Sequence, residues 1–383
     1  MKKTLLCAAI FAAASTFGTC AVTARADEGI APECKAAYLC DYVTGTEVYA
    51  LNETARLPIA SMCKIMTLLL SFEAIGEGSL TYDEEITASE RASSMGGSQV
   101  FLDTGLSYRA EDLMKSVAVC SANDSCVALS ERIAGSEEAF VDKMNARARE
   151  LGAENTLFAN CTGLPKDPQY SCAKDVAIMT RALLKYDKYY EFCKVRVENF
   201  CHPDGREIQM TNTNKLIRAY EGCDGGKTGF TNEAGFCLSA TAKRGDMRLI
   251  SVVIGAETSK KRFKGASDLM NYCFERYENK VVLAAGEATE HAVPVRGSRV
   301  KEVNAVPEEN LCVFRKKGAA DDFTVQYDLK KELKAPVTAG AELGSAVLYE
   351  GGVECARVKL LAKESAEAFT YWEAYREGAR LWN

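Results

Sequence analysis

Three short sequences fall in a set order along the chain: Ser61-Met62-Cys63-Lys64, then Ser121-Ala122-Asn123, then Lys227-Thr228-Gly229. Any one of them is a common accident. Together, with the first opening a helix, they are a strong constraint. They ask for a fold that combines a helix start, a turn beside a helix and a strand edge.

The helix is legible from its apolar period. After Pro58, residues Ile65, Leu68, Leu69, Phe72 and Ile75 fall at i, i+3, i+4, i+7 and i+10, so a buried helix begins near Ser61. Residues three apart on a helix share a face, so the Lys64 amine can reach the Ser61 hydroxyl, as an alcohol nucleophile requires. An ordinary lysine titrates near ~10.4 and is a poor base at neutral pH. Burial and a second cation must lower it by about 3 units, roughly 4 kcal/mol. Lys227 offers that cation, and the Ser61 backbone N–H offers one donor for an oxyanion. The plainer reading makes Ser61 a helix N-cap and Lys64 a solvated first-turn residue.

Ser121 and Asn123 supply a hydroxyl for relaying a proton and an amide for holding a peptide backbone; alone they would read as a turn. Lys227-Thr228-Gly229 follows Gly225-Gly226 and reads as a strand edge where a substrate backbone adds as an extra strand, with Lys227 holding a carboxylate. Alone it would be a glycine turn with a solvated lysine. Only two histidines, His202 and His291, occur in the 383 residues, so the expected base is not imidazole. No C-x-x-C pair exists for zinc or redox work, and no metal or cofactor is expected.

Lys2 and Lys3 precede an apolar run from Leu5 to Ala14 that is too short to span a bilayer, and Ala24-Arg25-Ala26 is a small-x-small cleavage site. Residues 1–26 therefore read as a secretory leader, which makes the protein an export; Phe17-Gly18-Thr19 fits lipid attachment at Cys20 poorly. Removing Lys2, Lys3 and Arg25 leaves 44 of the 47 basic residues against 53 acidic ones, a net charge of −9. Such a surface repels the phosphate backbone, so no nucleic-acid partner is expected. Of the 16 cysteines, 14 remain, and they read mostly as small buried hydrophobes rather than bridges.

Short runs around Thr44-Gly45 read as a hairpin over 35–50. Helical periods follow over 110–134, 136–151 and 173–186, then strands over 235–242 and 248–255 and a helix carrying Leu269, Tyr272, Cys273 and Tyr277. Sheet, helices and sheet again make an α/β (α+β) catalytic domain over 27–280. Short alternating strands over 281–362 make a small all-β domain. In the tail, 363–383, Phe369, Trp372, Tyr375, Ala379 and Trp382 recur at steps of three or four, and Glu364, Glu367, Glu373 and Glu377 outnumber Lys363, Arg376 and Arg380. This amphipathic tail either lies weakly on the outer face of a membrane or docks on the β domain.

The motif set resembles the penicillin-recognising serine enzymes, and more narrowly the low-molecular-mass (class C) penicillin-binding proteins that are D-alanyl-D-alanine carboxypeptidases. Pro58-Ile59-Ala60-Ser61, Gly96-Gly97-Ser98-Gln99-Val100-Phe101-Leu102, Phe158-Ala159-Asn160-Cys161-Thr162-Gly163-Leu164 and Met247-Arg248-Leu249-Ile250-Ser251 all look like that family's sequence. The resemblance implies a β-lactamase/transpeptidase-like catalytic domain. Ser61 would be acylated by the penultimate D-Ala carbonyl, Lys64 would be its base, Ser121 a proton relay, and Asn123 the holder of the substrate amide. Lys227, Thr228 and Gly229, with Arg262, would hold the terminal carboxylate, and the N–H groups of Ser61 and Phe230 would form the oxyanion hole. Phe230 stands where some members have His. Its partners would be peptidoglycan stem peptides ending in D-Ala-D-Ala and β-lactam antibiotics.

Two alternatives follow from the same residues. A class A β-lactamase needs a glutamate to activate its deacylating water, and none occurs between Asn155 and Ala173. A catalytically dead wall-binding protein would lack Ser61 or Lys64, and both are present. Cys63, two residues from Ser61, should point into the core.

Overall fold

The computed structural model describes residues 30–380; the leader, its cleavage site, Cys20 and Trp382 lie outside them. Strand Met247–Ala256 turns Ile250, Val252 and Ile254 to one core and Leu249 and Val253 to the other, all essentially without solvent exposure. A β-branched run buried on both faces makes it the centre of a sheet. The five strands run Glu47–Leu51, Ala36–Asp41, Met247–Ala256, Gly235–Arg244, Cys223–Thr231, and every neighbouring pair is antiparallel. Cys223–Thr231, which carries Lys227-Thr228-Gly229, is therefore an edge strand.

Helix Ser259–Arg276 contributes Ala266, Leu269, Met270 and Cys273 to one core, and the helical middle of the chain forms the other. Its centre is helix Lys64–Gly76, buried on nearly every side. The expected helix start proves to be a 3-10 turn, Ala60–Cys63, with Ser61 inside it. The period expected over 110–134 is broken into Ala110–Val119 and Asn123–Ala134. Both helices bury apolar residues in the same core, so the apolar pattern runs across a break that it cannot reveal. At the break Ser121 takes a left-handed backbone, φ 67°. Glu137–Glu150 and Ala173–Leu183 fall where expected. Helix Asp187–Lys194 and the hairpin Val197–Cys201 with Glu207–Thr211 were not foreseen.

Among the described residues, one compact unit runs to Val281 and includes Phe314–Ala319; the other comprises Val282–Val313 and Ala320 onward. The second unit holds a six-stranded sheet around Val293, Val303, Leu343, Leu348 and Leu360. Its last helix, Tyr371–Arg380, is tied to that unit through acids: Glu373 pairs with Arg299, and Glu377 with Lys301 at 3.3 Å. Tyr371, Trp372 and Tyr375 remain 78%, 69% and 66% exposed. These three rings face solvent, while Phe369 is half-buried, its ring centroid 5.6 Å from Lys301 Nζ. No helix among the described residues is long and apolar enough to cross a membrane. Ten of the fourteen described cysteines are buried, and Cys201 is the exposed one.

Candidate active site

The turn that carries Ser61 is held by two glycines. Ala60, just before it, has φ 48°, a conformation that costs an L-residue about 1–2 kcal/mol. A Cβ on Gly229 would lie 2.6 Å from Ile59 O and 3.1 Å from Ser61 N, and one on Gly163, itself at φ +79°, would lie 2.0 Å from Ala60 O. Only glycine lets the edge strand and the 160–164 loop close on this turn from both sides.

Lys64 is fully buried. Its Nζ lies 2.9 Å from Ser61 Oγ and donates to Thr162 O at 2.5 Å. Burial pushes its pKa down. Four thiols, Cys63, Cys120, Cys126 and Cys161, lie within electrostatic range, but burial raises them too, Cys120 to about 11 and Cys126 to about 12. They stay neutral at pH 7 and supply no anion to keep Lys64 charged. The solvated-lysine reading is therefore excluded. A neutral amine here spends one N–H on Thr162 O and turns its lone pair on the Ser61 hydroxyl. Cys63 points into the core as expected, donating to Asn160 O at 3.2 Å.

A second lysine–serine pair stands beside the first. Lys227 Nζ donates to Ser121 Oγ at 2.8 Å and to Thr228 O at 3.1 Å. Burial, and then repulsion from Lys64 in its protonated form, push Lys227 down to about 7. Thr228 Oγ1 donates to Thr213 Oγ1 at 2.9 Å.

Asn123 is fixed by its own loop. Its Nδ2 donates to Gly96 O and its N–H to Ser98 O, both at 2.7 Å, while the Asp124 carboxylate accepts from Val100 N and Leu102 N. The bond to Gly96 O assigns the amide orientation, and this leaves Asn123 Oδ1 buried with no partner. A buried acceptor left open beside a nucleophile is what a substrate N–H would satisfy.

Arg262 is placed differently from a direct carboxylate ligand. It approaches the edge strand from behind, donating Nη1 to Gly229 O at 3.2 Å and Cys237 O at 3.1 Å and Nη2 to Ser259 Oγ at 3.2 Å. Its guanidinium stacks over Phe263, 4.5 Å from the centroid. Phe230, 51% exposed, packs its ring on Phe236 at 4.3 Å, and its N–H follows directly on Gly229, where a Cβ would come within 3.1 Å of Ser61 N. His202 is buried elsewhere, its Nε2 on Val100 O at 2.9 Å, behind the loop that holds Asn123. Among the described residues no group of three or more His, Cys, Asp or Glu comes together to hold a metal.

The structure thus brings Ser61, Lys64, Ser121, Asn123, Lys227, Thr228 and Gly229 to one place. Sequence reasoning missed Thr162, Gly163, Thr213 and Asp124. The first two lie in a segment whose family likeness was visible, but a carbonyl acceptor has no side-chain signature.

Comparison with known proteins finds likeness over most of the chain. Residues 21–258 match the family model for D-alanyl-D-alanine carboxypeptidase, and residues 277–368 match the penicillin-binding protein 5 C-terminal domain. The D-alanyl-D-alanine carboxypeptidase DacF of Bacillus subtilis is 40% identical over 88% of this chain and 86% of its own. The structure of PBP3 from Streptococcus pneumoniae, a peptidoglycan synthesis regulatory factor, superposes with TM-score 0.74 at 28% identity, covering 88% of this chain and 100% of that one. Penicillin-binding protein D2 of Listeria monocytogenes, solved in its ampicillin-bound form, superposes with TM-score 0.58 at 30% identity over 64% of this chain and 98% of its own.

Proposed function

The chain belongs to the D-alanyl-D-alanine carboxypeptidase family of penicillin-binding proteins, and from that premise we propose how its residues divide the work. It is a serine-type carboxypeptidase that removes the terminal D-alanine from peptidoglycan stem peptides through an acyl-enzyme, and so limits cross-linking. Ser61 Oγ attacks the penultimate D-Ala carbonyl carbon and passes its proton to Lys64 Nζ. The N–H groups of Ser61 and Phe230 hold the oxyanion. Ser121, in contact with Lys227, relays a proton to the departing amine, the C–N bond breaks and D-Ala leaves. Water then cleaves the Ser61 ester. Asn123 Oδ1 accepts from a substrate amide.

Lys227 and Thr228 hold the terminal carboxylate. Arg262 contributes its positive charge from behind Gly229 and braces that strand. A β-lactam, whose carbonyl and carboxylate imitate the same substrate, acylates the same serine. The observation that carries this reading is a fully buried lysine, with no anionic partner, 2.9 Å from a serine hydroxyl. The test is intact-protein mass spectrometry during incubation with a D-Ala-D-Ala peptide, which should show a transient acyl adduct and released D-Ala.

The same reading puts the enzyme outside the cytoplasmic membrane. The leader-like residues 1–26 support export, and the exposed Trp372 and Tyr375 support weak attachment of the tail to the membrane's outer face.

A further inference from the structure

A cavity of about 300 Å³ opens beside the catalytic groups, and the mechanism makes no use of it. Its wall includes Gly96, whose carbonyl fixes Asn123, and Thr162, whose carbonyl fixes Lys64. The rest comes from Arg91, Ser94, Met95, Glu137, Asn160 and residues 164–166, with no contribution from the edge strand Cys223–Thr231. The proposed holders of the departing D-Ala carboxylate all lie on or behind that strand. The cavity therefore sits on the acyl side of the scissile bond, next to the residues that grip the acyl portion.

Its charge is uneven. Glu137 is largely buried and already answered: its carboxylate accepts from Arg91 Nη2 at 3.0 Å and from Cys161 N at 3.3 Å. Arg91 keeps 60% of its side chain exposed and has further N–H groups to offer. Lys166, on the exposed edge of the same wall, adds a second cation. The wall thus carries one positive charge beyond what Glu137 balances, in a space too large for a single water and suited to a side chain.

Resting on the carboxypeptidase reading, the geometry points to this cavity as the subsite for the side chain of the stem residue that precedes D-Ala-D-Ala, selecting one that ends in a carboxylate, with Arg91 and Lys166 as its partners. Such a contact is remote from the reacting atoms and alike in ground and transition states, so it acts on KM more than on kcat.

The test uses the full chain and two blocked peptides X-D-Ala-D-Ala, in which X carries side chains of equal length ending in a carboxylate or in a primary amine. The wild type is expected to prefer the carboxylate by roughly tenfold in kcat/KM, the size of one charge-assisted hydrogen bond. Lys166→Glu, on an exposed loop, should cancel or invert that preference. Arg91→Gln should reduce it, with the folded state checked by melting because Arg91 pairs with Glu137. Equal turnover of the two peptides by the wild type would overturn the subsite, as would a Lys166→Glu protein that slows both alike. Failure of the wild type to release D-Ala from either peptide would instead refute the carboxypeptidase reading, and the subsite with it.

Discussion

Lys64 Nζ rests 2.5 Å from the carbonyl oxygen of Thr162. That bond holds the amine at Ser61 without supplying a negative charge, so desolvation is free to lower the lysine's pKa. Thr162→Ala keeps the carbonyl and should alter acylation little.

The pH profile follows from the two lysines. Lys64 must be neutral to accept the serine proton, so acylation should fall as pH drops and Lys64 takes up a proton. Lys227 must be charged to attract a carboxylate, so kcat/KM for a peptide acid should also fall as pH rises through about 7. The two titrate as a coupled pair, and the limbs belong to the pair. A C-terminally amidated peptide should lose the alkaline limb; retention of that limb would remove Lys227 from carboxylate binding. Stability has its own sign. The unfolded chain keeps its lysine proton up to its ordinary pKa, while native Lys227 releases it near 7. The native state should therefore gain stability as pH rises between about 7 and the ordinary lysine value, and a Lys227→Met protein, followed by denaturant melts, should lose that slope.

Amidation also tests specificity at fixed pH. Removing the terminal carboxylate's charge-assisted bonds should cost ~1.5 to 3 kcal/mol, a roughly ten- to hundredfold loss of kcat/KM. Equal cleavage of acid and amide would indicate an endopeptidase.

The glycines give a structural prediction. Gly163→Ala forces a left-handed backbone on an L-residue and drives its Cβ into Ala60 O. It should destabilise the fold by about 2 kcal/mol or more and slow penicillin acylation. Gly229→Ala should slow acylation through the 2.6 Å approach to Ile59 O. Unchanged acylation in both would mean that the nucleophile turn does not depend on these contacts.

Much of this was legible in the sequence because it is written in side chains. Ser61 and Lys64 share a face at spacing three, and the apolar, β-branched run over 248–255 marks a strand. The apolar period alone does not show the break at Ser121, because the helices on either side bury their apolar residues in one core. Thr162 was invisible because its contribution is a carbonyl. The position of Arg262 behind Gly229 could not be read, since a sequence gives the charge of a residue but not the side of the strand from which it approaches.

The tail is testable by deletion from residue 370, which spares the hydrogen bond from Phe369 N to Gly297 O. Exposed Tyr371, Trp372 and Tyr375 could contribute several kcal/mol on burial, at ~25 cal/mol per Å², so co-sedimentation with liposomes should fall sharply while hydrolysis of a soluble peptide persists. A truncated protein that sediments as well as the full chain would refute attachment through the tail.

The most direct test of the central claim is intact-mass measurement of wild type and Ser61→Ala after exposure to benzylpenicillin. The wild type should gain the mass of one penicilloyl group, mapped by peptide digestion to Ser61. Ser61→Ala should melt close to the wild type and gain nothing. An adduct on Ser61→Ala, or on any other residue of the wild type, would contradict the assignment.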